Sequence, residues 1–176
     1  MERLGLLFQV DQPAIDEQPQ AHESATALVQ RLATEKAQAV AMRHPKALII
    51  GSDQVACLGH KILGKPGNRE NAIQQLHQFS GQQVTFYTGL CLFNSSNQHS
   101  QVICEPFHVY FRALTSQQIE RYVDQEQPFD CAGSFKSEGL GISLFERLQG
   151  DDPNSLIGLP LIRLTSLLAN EGVIIP

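Results

Sequence analysis

The run Ala47-Leu48-Ile49-Ile50-Gly51-Ser52-Asp53-Gln54 constrains this chain more than any other stretch. Four consecutive apolar residues predict a strand covered on both faces. The apolar run breaks at Gly51, and an acid follows two residues later. That reading sets Asp53 at the C-terminal lip of a buried strand, where open α/β sheets place their ligands. Twelve residues further on stands Lys65, between Gly64 and Pro66. An acid and a lysine on neighbouring turns suit a metal-bound phosphate: the acid holds a cation or activates water, and the lysine neutralises phosphate charge.

The rest of the chain reads as helices and strands interspersed. Gly5 to Val10 is strand-like, and after the Ala47–Asp53 strand Gln54 to Leu58 continues extended. Ser24 is a good N-cap for a long helix from about Ala25 to Arg43, which His44-Pro45 ends. Its apolar stripe is Ala25, Val29, Leu32, Ala39 and Val40. Lys36 falls within that stripe, so it needs a counter-charge or a cleft, or else snorkels to water. Asn68 caps a second helix, Arg69 to Phe79, with Ala72, Leu76 and Phe79 inward. Val84 to Phe93 and Gln101 to Phe111 predict an antiparallel hairpin. Thr115 and Gln118 resemble a capping box for a short helix carrying Ile119, Tyr122 and Val123, and Gln127-Pro128 marks its end. A strand near Ile142 to Leu148 and a final helix opened by Pro160 complete the pattern. The fold class expected is α/β: a mixed, largely antiparallel-extended sheet flanked by helices.

Composition narrows the function. The net charge is −5 and no basic block occurs, which argues against a nucleic-acid polymer as partner. No apolar run approaches a membrane span, and the first residues do not read as a signal peptide, so a cytoplasmic protein is the default. Cys57, Cys91, Cys104 and Cys131 form no C-x-x-C pair and have no zinc spacing, so they read as buried free thiols. The six histidines are dispersed. No G-x-S-x-G elbow and no Walker A loop appears.

Each candidate residue has a plain alternative. Asp53 alone reads equally as a strand-end cap. Asp16-Glu17 is a solvated acidic pair, or part of a hard-cation site in which water and phosphate complete the shell. Lys65 is aimed by the glycine and proline that flank it. Glu138, in a glycine-flanked segment with Lys136, is an exposed loop acid, or a carboxylate able to accept from the N1–H and 2-amino group of a guanine.

Taken in order, these pieces resemble one family. Asp16-Glu17, Glu35-Lys36-Ala37, Gly51-Ser52-Asp53-Gln54, Gly64-Lys65-Pro66, Ser80-Gly81, Tyr87-Thr88-Gly89, Ala132-Gly133 and Gly158-Leu159-Pro160 follow the sequence of the Maf family of nucleoside triphosphate pyrophosphatases. The resemblance spans almost the whole chain and implies one Maf/ITPase-like domain over residues 1–176, with two lobes around a cleft. Gln54 and Glu138 resemble the YceF-type branch, which hydrolyses 7-methyl-GTP to the monophosphate and pyrophosphate. The pyrimidine-nucleotide branch usually carries Thr and Gln at those two places.

The resemblance implies Asp53 as proton acceptor. It implies Glu17 and Asp53 as ligands of a divalent cation (Mg²⁺ or Mn²⁺), Lys36 and Lys65 on the triphosphate, and Gln54 and Glu138 choosing the base. Family members open with a strand and a phosphate loop of the type S-x-S-P-x-R-R. Met1-Glu2-Arg3-Leu4 matches the helix after that loop. The expectation is therefore a chain without that strand and loop, with a sheet edge that a second copy could cover as a homodimer. Two other readings stay open: an impaired nucleotide-binding or interaction protein, and a phosphatase that strips single phosphates.

Overall fold

The computed structural model describes residues 1–176. Four α-helices and a five-stranded sheet form the framework. The strands are β1 Leu48–Leu58, β2 Lys61–Leu63, β3 Gln83–Asn94, β4 His99–Phe111 and β5 Phe145–Gln149, in the sheet order β2-β1-β3-β4-β5. β2 pairs antiparallel with β1, and β5 pairs antiparallel with β4. The mixed α/β class read from the sequence is the class observed.

Helices began where local chemistry said they would. α1 spans Ala25–Ala41, and the Ser24 side chain accepts from the Ala27 amide at its start. α2 spans Arg69–Phe79 under an Asn68 cap. α3 spans Ser116–Glu126 with both halves of the Thr115–Gln118 capping box formed. α4 spans Leu161–Asn170 and buries Leu161, Leu164, Leu167 and Leu168.

Four readings need correction. Gly5 to Val10 is not a strand: no strand precedes Leu48, and Leu7 and Val10 are exposed. Alternation makes a strand only where a neighbour satisfies its backbone. The stripe of α1 is Leu28, Val29, Leu32, Ala33 and Ala37, while Ala25, Ala39 and Val40 are only partly buried. The small alanines lie inward because the helix sits close to the sheet. The last strand begins at Phe145, since Leu140–Leu144 is a 3₁₀ turn. Finally, Asp53 is not at the lip of its strand: β1 continues without a break through the extended Gln54–Leu58 stretch, so Asp53 lies within it.

The chain forms two compact units. One comprises Met1–Asp53, Thr88–Glu105 and Gly158–Pro176; the other comprises Gln54–Tyr87 and Pro106–Ile157. In the first unit Ile49 packs with Ala33, Ala37, Cys91 and Phe93, while Leu48 and Ile50 pack against Leu90, Leu92 and the leucines of α4. Both faces of that half of β1 are thus covered, as the apolar run required. The second unit is built around Phe79, Phe86, Phe111, Phe135 and Phe145, whose neighbouring rings lie 4.8–5.8 Å apart, mostly edge to face. Edge-to-face contact sets the positive ring edge on the negative ring face. The four thiols are free, and burial pushes the Cys57 thiol up to about 11, which makes it inert.

Candidate functional site

Two glycines decide how close α1 comes to the sheet. A Cβ on Gly51 would lie 2.1 Å from the Ala33 carbonyl oxygen and 2.9 Å from the Ala37 nitrogen. A Cβ on Gly89 would lie 2.1 Å from the Val29 carbonyl oxygen. Only glycine lets the helix backbone rest directly on β1 and β3. Side chains two apart share a face of a strand, so Asp53 points to the same side as Gly51, toward α1.

Lys36, one residue before Ala37, meets it there. Its Nζ lies 2.7 Å from Asp53 Oδ1 and 2.8 Å from Glu17 Oε1. The Lys36 and Asp53 side chains are 17% and 12% exposed, while that of Glu17 is half exposed at 52%. Burial works against the Lys36 ammonium. Hydrogen bonds to Asp53 and Glu17, and the charges of both, outweigh it and hold its pKa above the ordinary lysine value. The lysine in the apolar stripe has found its counter-charge: two carboxylates converge on one ammonium.

Glu17 comes from a stretch without regular structure, so something else must hold it. Arg31 of α1 donates to both Glu23 carboxylate oxygens, to Glu35 and to the Gln18 carbonyl. Arg43 donates to Asp11 and to the Gln12 carbonyl. Two arginines therefore staple the segment that carries Glu17 to the helix that carries Lys36. The sequence reading missed both. The only signal was an arginine on the polar face of a helix that follows an acidic segment, Arg31, and a second just past the end of that helix, Arg43.

Ser52 ties further family motifs together. Its hydroxyl lies 2.8 Å from the Gly89 carbonyl and 2.6 Å from the Gly158 carbonyl, with one proton between the two acceptors. Gly51-Ser52-Asp53, Thr88-Gly89 and Gly158-Leu159-Pro160 are distant in sequence but meet at this hydroxyl.

Gln54, Lys65 and Glu138 belong to the second unit. Gln54 Nε2 donates to the Ser155 carbonyl at 2.6 Å. Lys65 is exposed on a pinned turn. Gln75 donates to the Gly64 carbonyl, Asn71 donates to the Pro66 carbonyl, and the Gly67 amide donates to Phe129. Gln75 in turn accepts from Ser134, a buried residue with a φ of 58°. Lys65 also lines a cavity of about 180 Å³ with Lys61, Asn71, Gln74, Gln75 and Gln78. The side-chain position of Gly64 is open: a Cβ there has no neighbour within 4 Å. Glu138 is exposed in the turn after Lys136, a segment anchored through Glu126, which accepts from the Leu140 amide.

The donor set suits a hard cation. Glu17 and Asp53 offer carboxylate oxygens at one point, and no group of three His, Cys, Asp or Glu side chains forms a metal cage. Mg²⁺ is commonly held by one or two carboxylates plus water and substrate phosphates. No helix is long and apolar enough to cross a membrane.

The chain is similar to known proteins along nearly its whole length. Over 176 residues, all of this chain and 89% of the relative, it is 61% identical to the 7-methyl-GTP pyrophosphatase of Alcanivorax borkumensis. It is 58% identical over 172 residues to the protein of that name from Nitrosococcus oceani, covering 98% of this chain and 86% of the other. With that of Colwellia psychrerythraea it shares 55% over 173 residues, 98% of this chain and 86% of the other. The family described as Maf-like protein matches residues 1–171, and the chain belongs to that family.

Proposed function

We propose that this chain hydrolyses 7-methyl-GTP to 7-methyl-GMP and pyrophosphate. The observation that carries the proposal is the convergence of Glu17 and Asp53 on Lys36. Close relatives bearing the name 7-methyl-GTP pyrophosphatase supply the substrate.

The reaction is attack of water on the α-phosphorus. A bond forms between the water oxygen and phosphorus, the bond to the bridging oxygen of the β-phosphate breaks, and pyrophosphate leaves. Asp53 takes the proton that water loses. The protein holds Asp53 for this task from two sides: β1 fixes its backbone, and Lys36 fixes one carboxylate oxygen. Lys36 and Lys65 act as point charges for the triphosphate. Glu17 and Asp53 would hold a divalent cation, which would offset charge on the phosphates. Gln54 and Glu138 select the base, Glu138 by accepting from N1–H and the 2-amino group and by offsetting the positive charge of a methylated purine.

The test is release of pyrophosphate from 7-methyl-GTP with Mg²⁺, against an Asp53→Asn control. Pyrophosphate and 7-methyl-GMP as sole products support the reading. Inorganic phosphate as product overturns it in favour of a monophosphatase, and binding without turnover overturns it in favour of a nucleotide-binding protein.

A further inference from the structure

Asp152 is a fully buried carboxylate on the loop Gly150-Asp151-Asp152-Pro153-Asn154-Ser155. No role follows for it from the reaction above. Burying a carboxylate is costly unless hydrogen bonds satisfy it. Here Asp152 Oδ1 accepts from both the backbone amide and the side-chain amide of Asn154, each at 2.8 Å. The Asp152 carbonyl accepts from the Ser155 amide at 3.0 Å and from the Ser155 hydroxyl at 2.6 Å. These bonds bend the chain into the 3₁₀ turn Pro153–Ile157. They also fix the direction of the Ser155 carbonyl, which receives Gln54 Nε2 at 2.6 Å.

That last contact has a chemical consequence. The two ends of a glutamine amide are nearly the same shape, so packing alone does not decide which end lies where. A carbonyl oxygen only accepts, so the nitrogen end of Gln54 is fixed at Ser155, and the position of the oxygen end is fixed with it. A glutamine locked in one orientation shows a base one donor and acceptor pattern. One free to flip shows two.

We propose that Asp152 is a positioning residue for base choice, acting through Ser155 to lock the Gln54 amide. The inference rests on Gln54 facing the base, as in the reading above. Losing the lock weakens discrimination between nucleotides more than turnover of any one of them.

The experiment has two arms. Without nucleotide, the side-chain Nε2 protons of Gln54 are followed by NMR. Slow exchange and a distinct shift are expected in the native chain, and loss of both in Asp152→Ala. Unchanged Gln54 signals overturn the proposal. With nucleotide, kcat/KM is compared for 7-methyl-GTP and UTP, or Kd if the chain binds without turnover. Asp152→Ala should lower the preference about tenfold, the scale of one lost oriented contact, and chiefly through KM. Asp152→Asn keeps an acceptor oxygen for Asn154 and should restore most of it. In a Gln54→Ala background, Asp152→Ala should change the preference by less than about twofold, because coupled residues are not additive. An equal loss for both nucleotides, or a full effect without Gln54, shows a merely structural role and overturns the proposal. Asn154→Ala removes one of the two donors to Oδ1 and carries the same expectation at smaller size if Asp152→Ala does not fold. Failure of the pyrophosphatase reading leaves the NMR arm intact, so the two failures are distinguishable.

Discussion

Lys36 contributes to both stability and the proposed chemistry. Its ammonium neutralises two acids in a partly buried place, and it is one of the cations proposed to meet the triphosphate. Lys36→Met removes the ammonium that both Glu17 and Asp53 contact. We expect a stability loss of about 2 kcal/mol, below the 3–5 of a fully buried pair because Glu17 is half exposed; chemical denaturation measures it. The same substitution should lower kcat/KM by about 10²- to 10³-fold, the scale of one lost charge-stabilising group. Asp53→Asn should cost at least as much in kcat, with little change in melting temperature, because an amide oxygen still accepts from Lys36. The raised pKa of Lys36 gives its pairing a pH window. The stabilisation is fully present below the ordinary lysine pKa and is lost as pH rises through the higher folded value, so Lys36 stays charged at neutral pH.

Among the elements, glycines divide into those the fold needs and one it does not. Gly51→Ala drives a methyl group into the backbone of α1, 2.1 Å from Ala33 oxygen. Backbone cannot rotate aside, so about 3 kcal/mol or more of stability should be lost, read from urea unfolding. Gly64→Ala meets nothing within 4 Å and its φ is not in the left-handed region, so stability should change by less than about 0.5 kcal/mol. An increase in KM for the nucleotide in that variant would show that Gly64 is kept small for the substrate. The helices illustrate what is readable at this scale. α2 and α3 start and stop where the sequence reading set them, because a cap and a 3.6-residue stripe are local signals. The stripe of α1 was misread because its inward face is chosen by Gly51 and Gly89, on strands distant in sequence.

In the molecule as a whole, the stapled N-terminal segment should contribute to acid stability. Hydrogen bonds from Arg43 and His44 hold the Asp11 carboxyl at about 2, and hydrogen bonds from Arg31 and the Gln20 amide hold Glu23 at about 2. Their unfolded values lie near 4, so this stabilisation is present above that range and is lost as pH falls through 4 toward 2. The urea midpoint should fall across that window. The double variant Asp11→Asn, Glu23→Gln should lower stability at pH 7 and flatten the fall. A native-like slope in that variant would mean other carboxylates control acid unfolding. Because the same staples hold the stretch that carries Glu17, the double variant should also weaken the proposed activation by Mg²⁺.

The sequence alone determined the α/β class, the capped helices, the doubly covered strand and the order of the family's motifs. Each of these is written in residues close together or in a linear order. It also marked Lys36 as a lysine needing a counter-charge, a cleft or a route to water, without deciding among them. Tertiary structure decided the rest. It brought Glu17, Lys36 and Asp53 to one point, set Asp53 inside β1 rather than at its end, left Gly5–Val10 out of the sheet, and set Ser155 against Gln54. Those outcomes depend on how closely one backbone can approach another and on whether a strand finds a partner. Both are settled between segments tens of residues apart, where no local pattern reaches.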